Sequence, residues 1–349
     1  SAFLSKRGNF TEAIKLIKKS ILLKPNDLSL KVKLVNVYHQ SLDFESAIEF
    51  LKNVTKEFPD EYLFFHLLGN SYFKYEKKDA AVSSYKKAIE INPNSANSYF
   101  NLSTYYYDLK EFSEAILMLE KSIEIRPEWE APYIQLCFNY YQQNKFSKFK
   151  NFVIKNKKYL QKSIEVAALS ELVAAQEEEK SIHNFCPEPM KYITEFDIKD
   201  YIPDHNNFLK KIIKEIDTYD FFDGYAPLSG KSQINGKQTI GNIFSKDDSK
   251  IFIELKNFFT AAVNDFYKKY QSSDNLLFKD FPKEINLWAW STKFDKGSGH
   301  HFSHIHPRGW VSGSFYLKMP NDIKKNEANI QFDLKGNLPV FNKKIKIDE

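Results

Sequence analysis

Cysteines and long apolar runs are both scarce in this chain of 349 residues. Its two cysteines, Cys137 and Cys186, are far apart in the sequence. This argues against a disulfide scaffold and favours a reducing compartment, so we expect a cytoplasmic protein. The chain contains no run of about 18 apolar residues, and we therefore expect no membrane-spanning helix. Because it begins at Ser1 without a methionine, the sequence neither shows nor excludes a signal peptide.

A strong charge of one sign is also lacking. The chain has 50 Lys and Arg against 45 Asp and Glu, a net charge of +5, and the two signs are interleaved along its length. This distribution argues against a nucleic-acid partner. Hydrophobic residues make up 42% and aromatic residues 16%, so the length and composition suit two domains, each with its own core.

The first half of the chain repeats itself every 34 residues. A proline, an alanine, a tyrosine and a leucine each recur at that interval, and a column of mostly small residues recurs less strictly. The columns are Pro25, Pro59, Pro93 and Pro127; Ala13, Ala47, Ala81 and Ala115; Tyr38, Tyr72, Tyr106 and Tyr140; Leu34, Leu68, Leu102 and Leu136; and Val35, Gly69, Ser103 and Cys137.

This pattern resembles the tetratricopeptide repeat, over residues 1–162. Each unit is expected to be two amphipathic helices that cross closely at the small residues, with proline ending the second helix. Because no single unit can bury its apolar face, the units are stable only when stacked on one another. The expected fold class is therefore an α-solenoid. Since Ser1 falls inside a repeat, we expect the array to extend upstream.

Such arrays present a groove lined by the first helix of each unit. This groove would bind an extended protein or peptide segment through aromatic and amide side chains. The alternative is that these side chains merely coat the array or pack on the second domain. The predicted groove residues are Asn36, Asn70, Phe73, Lys74, Tyr107 and Tyr141.

The periodicity changes after residue 162. Residues 163–190 are predicted to be a connecting helix and linker, and residues 191–349 a second domain. Its predicted helices are Asn207–Tyr219 and Ile251–Tyr270, and its predicted strands are Tyr192–Phe196, 286–290, 310–317 and 330–334. Helices followed by a run of strands favour an α+β domain with a β-sandwich or barrel behind a helical layer.

Four of the eight histidines lie in one seven-residue stretch of this second domain, residues 300–306. His304 and His306 are spaced i, i+2, which places both imidazoles on one face of a strand. Two neutral imidazoles that converge on one point suit a first-row transition metal. We therefore predict a metal site here, with His300 and His301 in a loop nearby.

The stretch around these histidines resembles the 2-oxoglutarate/Fe(II)-dependent oxygenases, whose fold is a jelly-roll-like double-stranded β-helix. The residues that carry the resemblance are Trp288-Ala-Trp290, His304-x-His306-Pro307 and Ser312-Gly313-x-x-Tyr316, with Gly236-Lys-Gln-Thr239 upstream. The resemblance covers residues 190–335. It implies Fe(II), 2-oxoglutarate and O2 as cofactor and cosubstrates, and hydroxylation of a C–H bond as the reaction.

Two departures from the oxygenase pattern affect the site. The family has a carboxylate where His306 stands, so His306 either binds the metal or orients a neighbour. The family's distal metal histidine and its 2-oxoglutarate-binding Arg or Lys lie on later strands; only 29 residues follow Pro320, with no His and no Arg among them, so the chain is expected to end before those strands. The resemblance thus implies a domain that is incomplete at its C-terminus. Ser312 and Tyr316 are candidates to bind the 2-oxoglutarate carboxylate; Tyr316 is equally compatible with a core position.

The sequence therefore predicts an oxygenase whose substrate is recruited by a repeat array, with a protein or peptide as the expected substrate. One alternative is a non-catalytic interaction scaffold with a degenerate oxygenase-like domain. Another is a cupin-like metalloenzyme that does not use 2-oxoglutarate, although no Glu stands at the usual short spacing after His306.

Overall fold

A computed structural model describes residues 10–223, 233–234, 236–239, 242–245, 249–294, 300–301 and 310–318. The chain divides into two compact units, Ser1–Phe149 and Lys150–Glu349. No helix of the described ranges is long and apolar enough to cross a membrane.

The first unit is a succession of helix pairs, as the 34-residue period predicts. From Phe10 to Gln142 each helix packs on the next, and the recurring alanines are buried. Asp27 and Asp43 cap two of the helices by accepting backbone N–H bonds, which satisfies donors left free in the first turn. The helices are α1 (Phe10–Leu23), α2 (Leu28–Gln40), α3 (Phe44–Glu57), α4 (Tyr62–Lys74), α5 (Lys78–Ile91), α6 (Ala96–Asp108), α7 (Phe112–Ile125), α8 (Glu130–Gln142) and α9 (Phe146–Lys155).

A left-handed residue closes the turn inside each helix pair. These residues are Leu42, Glu76, Lys110 and Asn144, spaced 34 residues apart, with φ between 56° and 62°. In the first turn, Leu42 N–H donates to His39 O and Asp43 N–H donates to Tyr38 O, and the other three turns repeat these bonds. The bonds satisfy carbonyls at the end of the preceding helix, as in a Schellman motif.

The second unit contains the helices that its apolar spacing predicts. They are α10 (Lys157–Leu160), α11 (Ile164–Glu177), α12 (His205–Ile216), α13 (Lys250–Tyr270) and α14 (Leu276–Lys279), with short 3₁₀ turns at Pro189–Tyr192, Ile198–Asp200 and Ile243–Ser245. The predictions of α12 and α13 from sequence are confirmed.

Two apolar cores hold this unit together. In the first, Phe208 and Ile212 of α12 pack with Phe252 and Phe258 of α13. In the second, Ala167 of α11 packs with Phe185, Phe266 and Phe278. Nine of the fourteen residues of α11 are buried, so this helix is a core element on most of its circumference.

Short strands form two small sheets in the described part of the second unit. Strands β1 (Phe221–Asp223), β3 (Gly236–Thr239) and β4 (Thr292–Phe294) form one sheet in the order β1-β3-β4, and β2 (Gln233–Ile234) pairs with β5 (His300–His301). All pairs are antiparallel. These residues do not show a double-stranded β-helix.

Three predicted strands are wrong, although their alternation is real. Burial alternates along 192–196, 285–290 and 314–318, but none of these stretches has a strand assignment. Tyr192 ends a 3₁₀ turn and packs edge-on against Tyr270. One-sided packing on helices produces the alternation, without a neighbouring ladder of backbone bonds. The predicted strand 330–334 lies outside the described residues.

Candidate functional site

Residues 233–234, 236–239 and 242–243 are bonded to the described parts of the chain that precede the predicted metal ligands. Gly236 lies opposite Phe294 in the β3–β4 ladder. Ile234 lies opposite His300 in the β2–β5 ladder. Both ladders are antiparallel. The pairing in the β2–β5 ladder is offset by four residues from the pairing in the β3–β4 ladder. The backbone that enters the histidine-rich segment is therefore a paired strand at His300–His301, and not the predicted loop.

From the end of β3 onward, side-chain hydrogen bonds add to the backbone bonds between the two segments. Thr239 N–H donates to Ser291 O at 3.0 Å, and Ser291 N–H donates to Thr239 Oγ1 at 3.1 Å. Asn242 Nδ2 donates to Leu287 O at 3.0 Å, and Asn242 Oδ1 accepts from Ala289 N–H at 3.0 Å. We call these two residues, Thr239 and Asn242, the 239/242 clamp.

The clamped segment has an exposed aromatic face. Trp288 is 69% exposed and Trp290 is 36% exposed. Leu287, which precedes Trp288, and Ala289, which lies between the two tryptophans, are partly buried. Ala289 packs on the α12–α13 core. The alternation that the sequence predicts is thus observed, and the clamp side chains together with the backbone N–H groups of Thr239 and Ile243 bond this segment in place.

The predicted metal ligands His304 and His306 lie outside the described residues. Within the residues that the structure does describe, no three His, Cys, Asp or Glu side chains are grouped so as to hold a metal ion. The donor type fits the implied ion, because imidazole suits iron and two imidazoles leave coordination positions open.

The predicted 2-oxoglutarate residues are exposed to solvent. Ser312 is exposed and Tyr316 is 49% exposed, whereas Phe315 and Leu317 pack against the α12–α13 core. Partial burial raises the pKa of Tyr316, so its hydroxyl is neutral at pH 7. Tyr316 is therefore not the core aromatic that the sequence also allowed.

The predicted groove residues of the array fall into three groups. Asn36 and Lys74 are exposed, so a partner can reach them. Phe73 and Tyr107 are half-buried, the Tyr107 ring packing edge-on against Phe112. Tyr141 is fully buried, and its assignment to the groove is corrected: its side chain belongs to the core.

Asn70 is engaged inside the array. Its Oδ1 accepts from Tyr85 Oη at 2.9 Å and from Asn101 Nδ2 at 2.7 Å. Its Nδ2 donates to His66 Nε2 at 3.2 Å. Asn70 therefore links α4 to α5 and α6, and three bonds to the protein compete with any bond to a partner.

Sequence reasoning missed two histidine–serine contacts between successive repeats. His39 Nε2 lies 2.8 Å from Ser71 Oγ, and His66 Nδ1 lies 2.9 Å from Ser98 Oγ. Both pairs are 32 residues apart. A histidine followed 32 residues later by a serine is the signal that would have found them.

The two cysteines are unreactive thiols. Cys137 is fully buried in α8, and burial raises its pKa. Burial together with the nearby Glu171 raises the pKa of Cys186 to about 12. Both therefore remain protonated at pH 7 and lack the thiolate that nucleophilic chemistry requires.

Family models match in both halves of the chain. Tetratricopeptide-repeat models match residues 69–103 and 96–128. A model described as "Putative 2OG-Fe(II) oxygenase" matches residues 288–345. The chain thus contains tetratricopeptide repeats and a segment similar to that oxygenase family. The comparison with curated proteins gives no match.

Several solved structures are similar to about half of this chain. A MamA crystal structure is 26% identical and covers 45% of this chain and 89% of its own, with a TM-score of 0.37. MamA from Desulfovibrio magneticus RS-1 is 17% identical over 45% and 89%, with a TM-score of 0.39. The C-terminal part of a TPR repeat-containing protein from Cytophaga hutchinsonii is 19% identical over 51% and 70%, with a TM-score of 0.43.

Proposed function

We propose that this protein is a Fe(II)- and 2-oxoglutarate-dependent dioxygenase that hydroxylates a protein or peptide recruited by its tetratricopeptide array. The observation that carries the proposal is the oxygenase-family match at 288–345 in the same chain as the repeats. The proposed domains are the array at 1–162, a connecting segment at 163–190 and an oxygenase-like domain at 191–349.

The metal would be held by His304, with His306 either as a second ligand or orienting a neighbour. Bound iron with 2-oxoglutarate and O2 would supply the oxidising power for hydroxylation. Exposed Ser312 and Tyr316 would bind the 2-oxoglutarate carboxylate, since both hydroxyls are neutral donors.

The array would supply recruitment. Tetratricopeptide repeats generally mediate interactions with proteins, and exposed Asn36 and Lys74 offer an amide and a cation to a partner. The half-buried rings of Phe73 and Tyr107 offer apolar surface beside them. These four side chains favour an extended peptide over a compact small molecule.

The test is the Fe(II)-dependent conversion of 2-oxoglutarate to succinate by the full-length protein. We expect turnover by the wild type, loss of turnover and of bound iron in His304→Ala, and retention of both in His300→Ala, the matched control. His306→Ala separates the two roles of that residue: loss of bound iron identifies a ligand, and iron binding with reduced turnover identifies an orienting residue.

A non-catalytic scaffold is the second outcome of this test. Its support is that the described helix pairs of the first unit bury apolar cores of their own, so the array can present a binding surface without a metal. A wild-type protein that binds no iron and forms no succinate, yet still captures a peptide through the array, would replace the oxygenase proposal with the scaffold.

A further inference from the structure

We propose that Asn36, His39 and Lys74 form a site on the array for a carboxylate side chain, so that the partner it recruits is an acidic peptide segment. This site rests on the proposed function, because it specifies which partner the array recruits. Two observations carry it: a hydrogen bond joins the helices that bear these residues, and no carboxylate of the described residues pairs with Lys74.

The three side chains are brought together by α2 and α4. His39 Nε2 lies 2.8 Å from Ser71 Oγ, which holds the end of α2 against α4. Residues three apart on a helix are neighbours on its surface. Asn36 therefore lies one turn before His39, and Lys74 lies one turn after Ser71, so an amide, an imidazole and an ammonium group share one surface.

The repeat supports this proximity independently. Two repeats later, the positions of His39 and Lys74 are occupied by Tyr107 and Gln142, whose side chains are hydrogen-bonded to each other. Burial and, after it, the positive charge of Lys74 lower the pKa of His39. The two cationic side chains therefore lie close enough for one anion to contact both.

His39 presents a lone pair on this surface. Ser71 Oγ donates to Leu67 O at 2.9 Å, so it accepts from His39 Nε2, and Nδ1 of the neutral ring is unprotonated. The uncharged Phe44 of α3 packs on the ring at a centroid distance of 5.6 Å, and Lys74 is the charged side chain of the described residues that acts on it. A carboxylate beside Lys74 would favour a proton on Nδ1 and gain a second cationic donor.

Lys74 offers a positive charge that the array leaves without a partner. Its side chain is exposed, and no acidic side chain of the described ranges forms an ion pair with it. The same position of the next repeat holds Asp108, which is neutralised by Lys78 at 3.0 Å. This surface therefore favours an anionic partner over a cationic one.

Asn36 offers an amide that the next repeat uses internally. The equivalent Asn70 is bonded to Tyr85 and Asn101. One repeat earlier, both of these partner positions hold leucine, Leu51 and Leu67. Within the described part of the chain the exposed amide of Asn36 has no hydrogen-bond partner, so its donor and acceptor can bind the backbone of an extended peptide.

The experiment uses a phage-displayed library of random linear peptides as the probe. The library is selected in parallel on the full-length wild type, on Lys74→Gln and on Lys74→Glu, with Lys86→Glu on the exposed side of α5 as the control. A selected acidic peptide and its amide counterpart, with Asn or Gln for the acid, are then titrated by fluorescence anisotropy. His39→Gln is included because its amide can still donate to Ser71.

We expect peptides selected on the wild type and on Lys86→Glu to carry Asp or Glu at one fixed position. This preference should disappear with Lys74→Gln and change to Lys or Arg with Lys74→Glu. The amide counterpart should bind the wild type up to about fivefold more weakly, the effect of one exposed ion pair. Binding of the acidic peptide should tighten from about pH 8 to about pH 6, because it raises the pKa of His39 and takes up a proton, and His39→Gln should lack this dependence.

The outcomes separate this site from the proposed function. Selected peptides without an acidic preference, or a preference that survives Lys74→Gln, would overturn the carboxylate site and leave recruitment intact. An equal pH dependence in His39→Gln would remove His39 from the site. A wild type that selects no peptide would overturn recruitment by the array, and the site with it. An acidic preference in a protein that forms no succinate would support the site and overturn the oxygenase proposal.

Discussion

His66 has a partner on each side of its ring, and both partners constrain its protonation. Asn70 Nδ2 is a donor that faces Nε2, so the proton of the neutral ring lies on Nδ1 and is donated to Ser98. A second proton would face the Asn70 amide, whose oxygen already accepts from Tyr85 and Asn101. Burial lowers the pKa of His66 to about 4.

The array should therefore lose stability in mild acid through His66. Because the folded-state pKa lies below the ordinary value of 6.5, the contribution is complete above about pH 6.5 and is lost as the pH falls towards 4. The loss amounts to at most about 3 kcal/mol. Unfolding free energies of the wild type and His66→Gln at several pH values test this, and equal pH slopes in the two proteins would contradict it.

Replacing Lys110 by glycine should stabilise the array. Its φ of 62° is a left-handed conformation that costs a residue with a side chain about 1–2 kcal/mol, and glycine avoids this at some entropic cost. We expect Lys110→Gly to raise the free energy of unfolding by about 0.5–1 kcal/mol. Lys86→Gly, an exposed position inside α5, is the control and should lower it by about 1 kcal/mol. Chemical denaturation measures both.

At the scale of elements, the 34-residue period predicts the helix pairs because its columns act locally. The small residue at position 69 is one example: a Cβ there would lie 2.5 Å from Cε1 of Tyr85. Tyr85 is itself 2% exposed and its hydroxyl donates to Asn70 Oδ1, so a shift of the ring would disturb both its packing and this hydrogen bond. The close approach of α4 and α5 therefore explains why this position of the repeat holds a glycine.

Gly69→Ala should consequently destabilise the array. The added methyl group overpacks the contact between α4 and α5, which costs about 1–3 kcal/mol. Gly313→Ala is the matched control, since nothing lies within 4 Å of its added Cβ, and it should leave stability unchanged. Thermal unfolding of the two variants checks the prediction. A neutral Gly69→Ala would show that Tyr85 can shift.

The strands were harder to predict than the helices for a physical reason. Alternation along 286–290 and 314–318 identifies which side chains face the core, and that much is confirmed. A strand also needs a partner distant in sequence, and alternation carries no information about partners. The side-chain bonds of Asn242 to Leu287 and Ala289 could not be read from any local pattern.

At the scale of the whole molecule, mutations should separate recruitment of the substrate by the array from the proposed hydroxylation by the second domain. Asn36→Ala/Lys74→Glu should raise the KM for a recruited protein substrate and leave kcat unchanged, because these exposed residues lie in the first unit, whereas the proposed metal and 2-oxoglutarate residues belong to the second. The control is Lys86→Glu, on the second helix of a pair. A fall in kcat with unchanged KM would contradict recruitment by this face.

The sequence alone determined the helix pairs of the array and which side chains of 286–290 and 314–318 face the core. These depend on patterns within a few tens of residues. Only the tertiary structure decided that Tyr141 is buried, that Asn70 is tied to α5 and α6, and that Thr239 and Asn242 hold residues 287–291. Each of these depends on which distant side chains meet, and hydrogen bonds and burial across the fold settle that where local periodicity cannot.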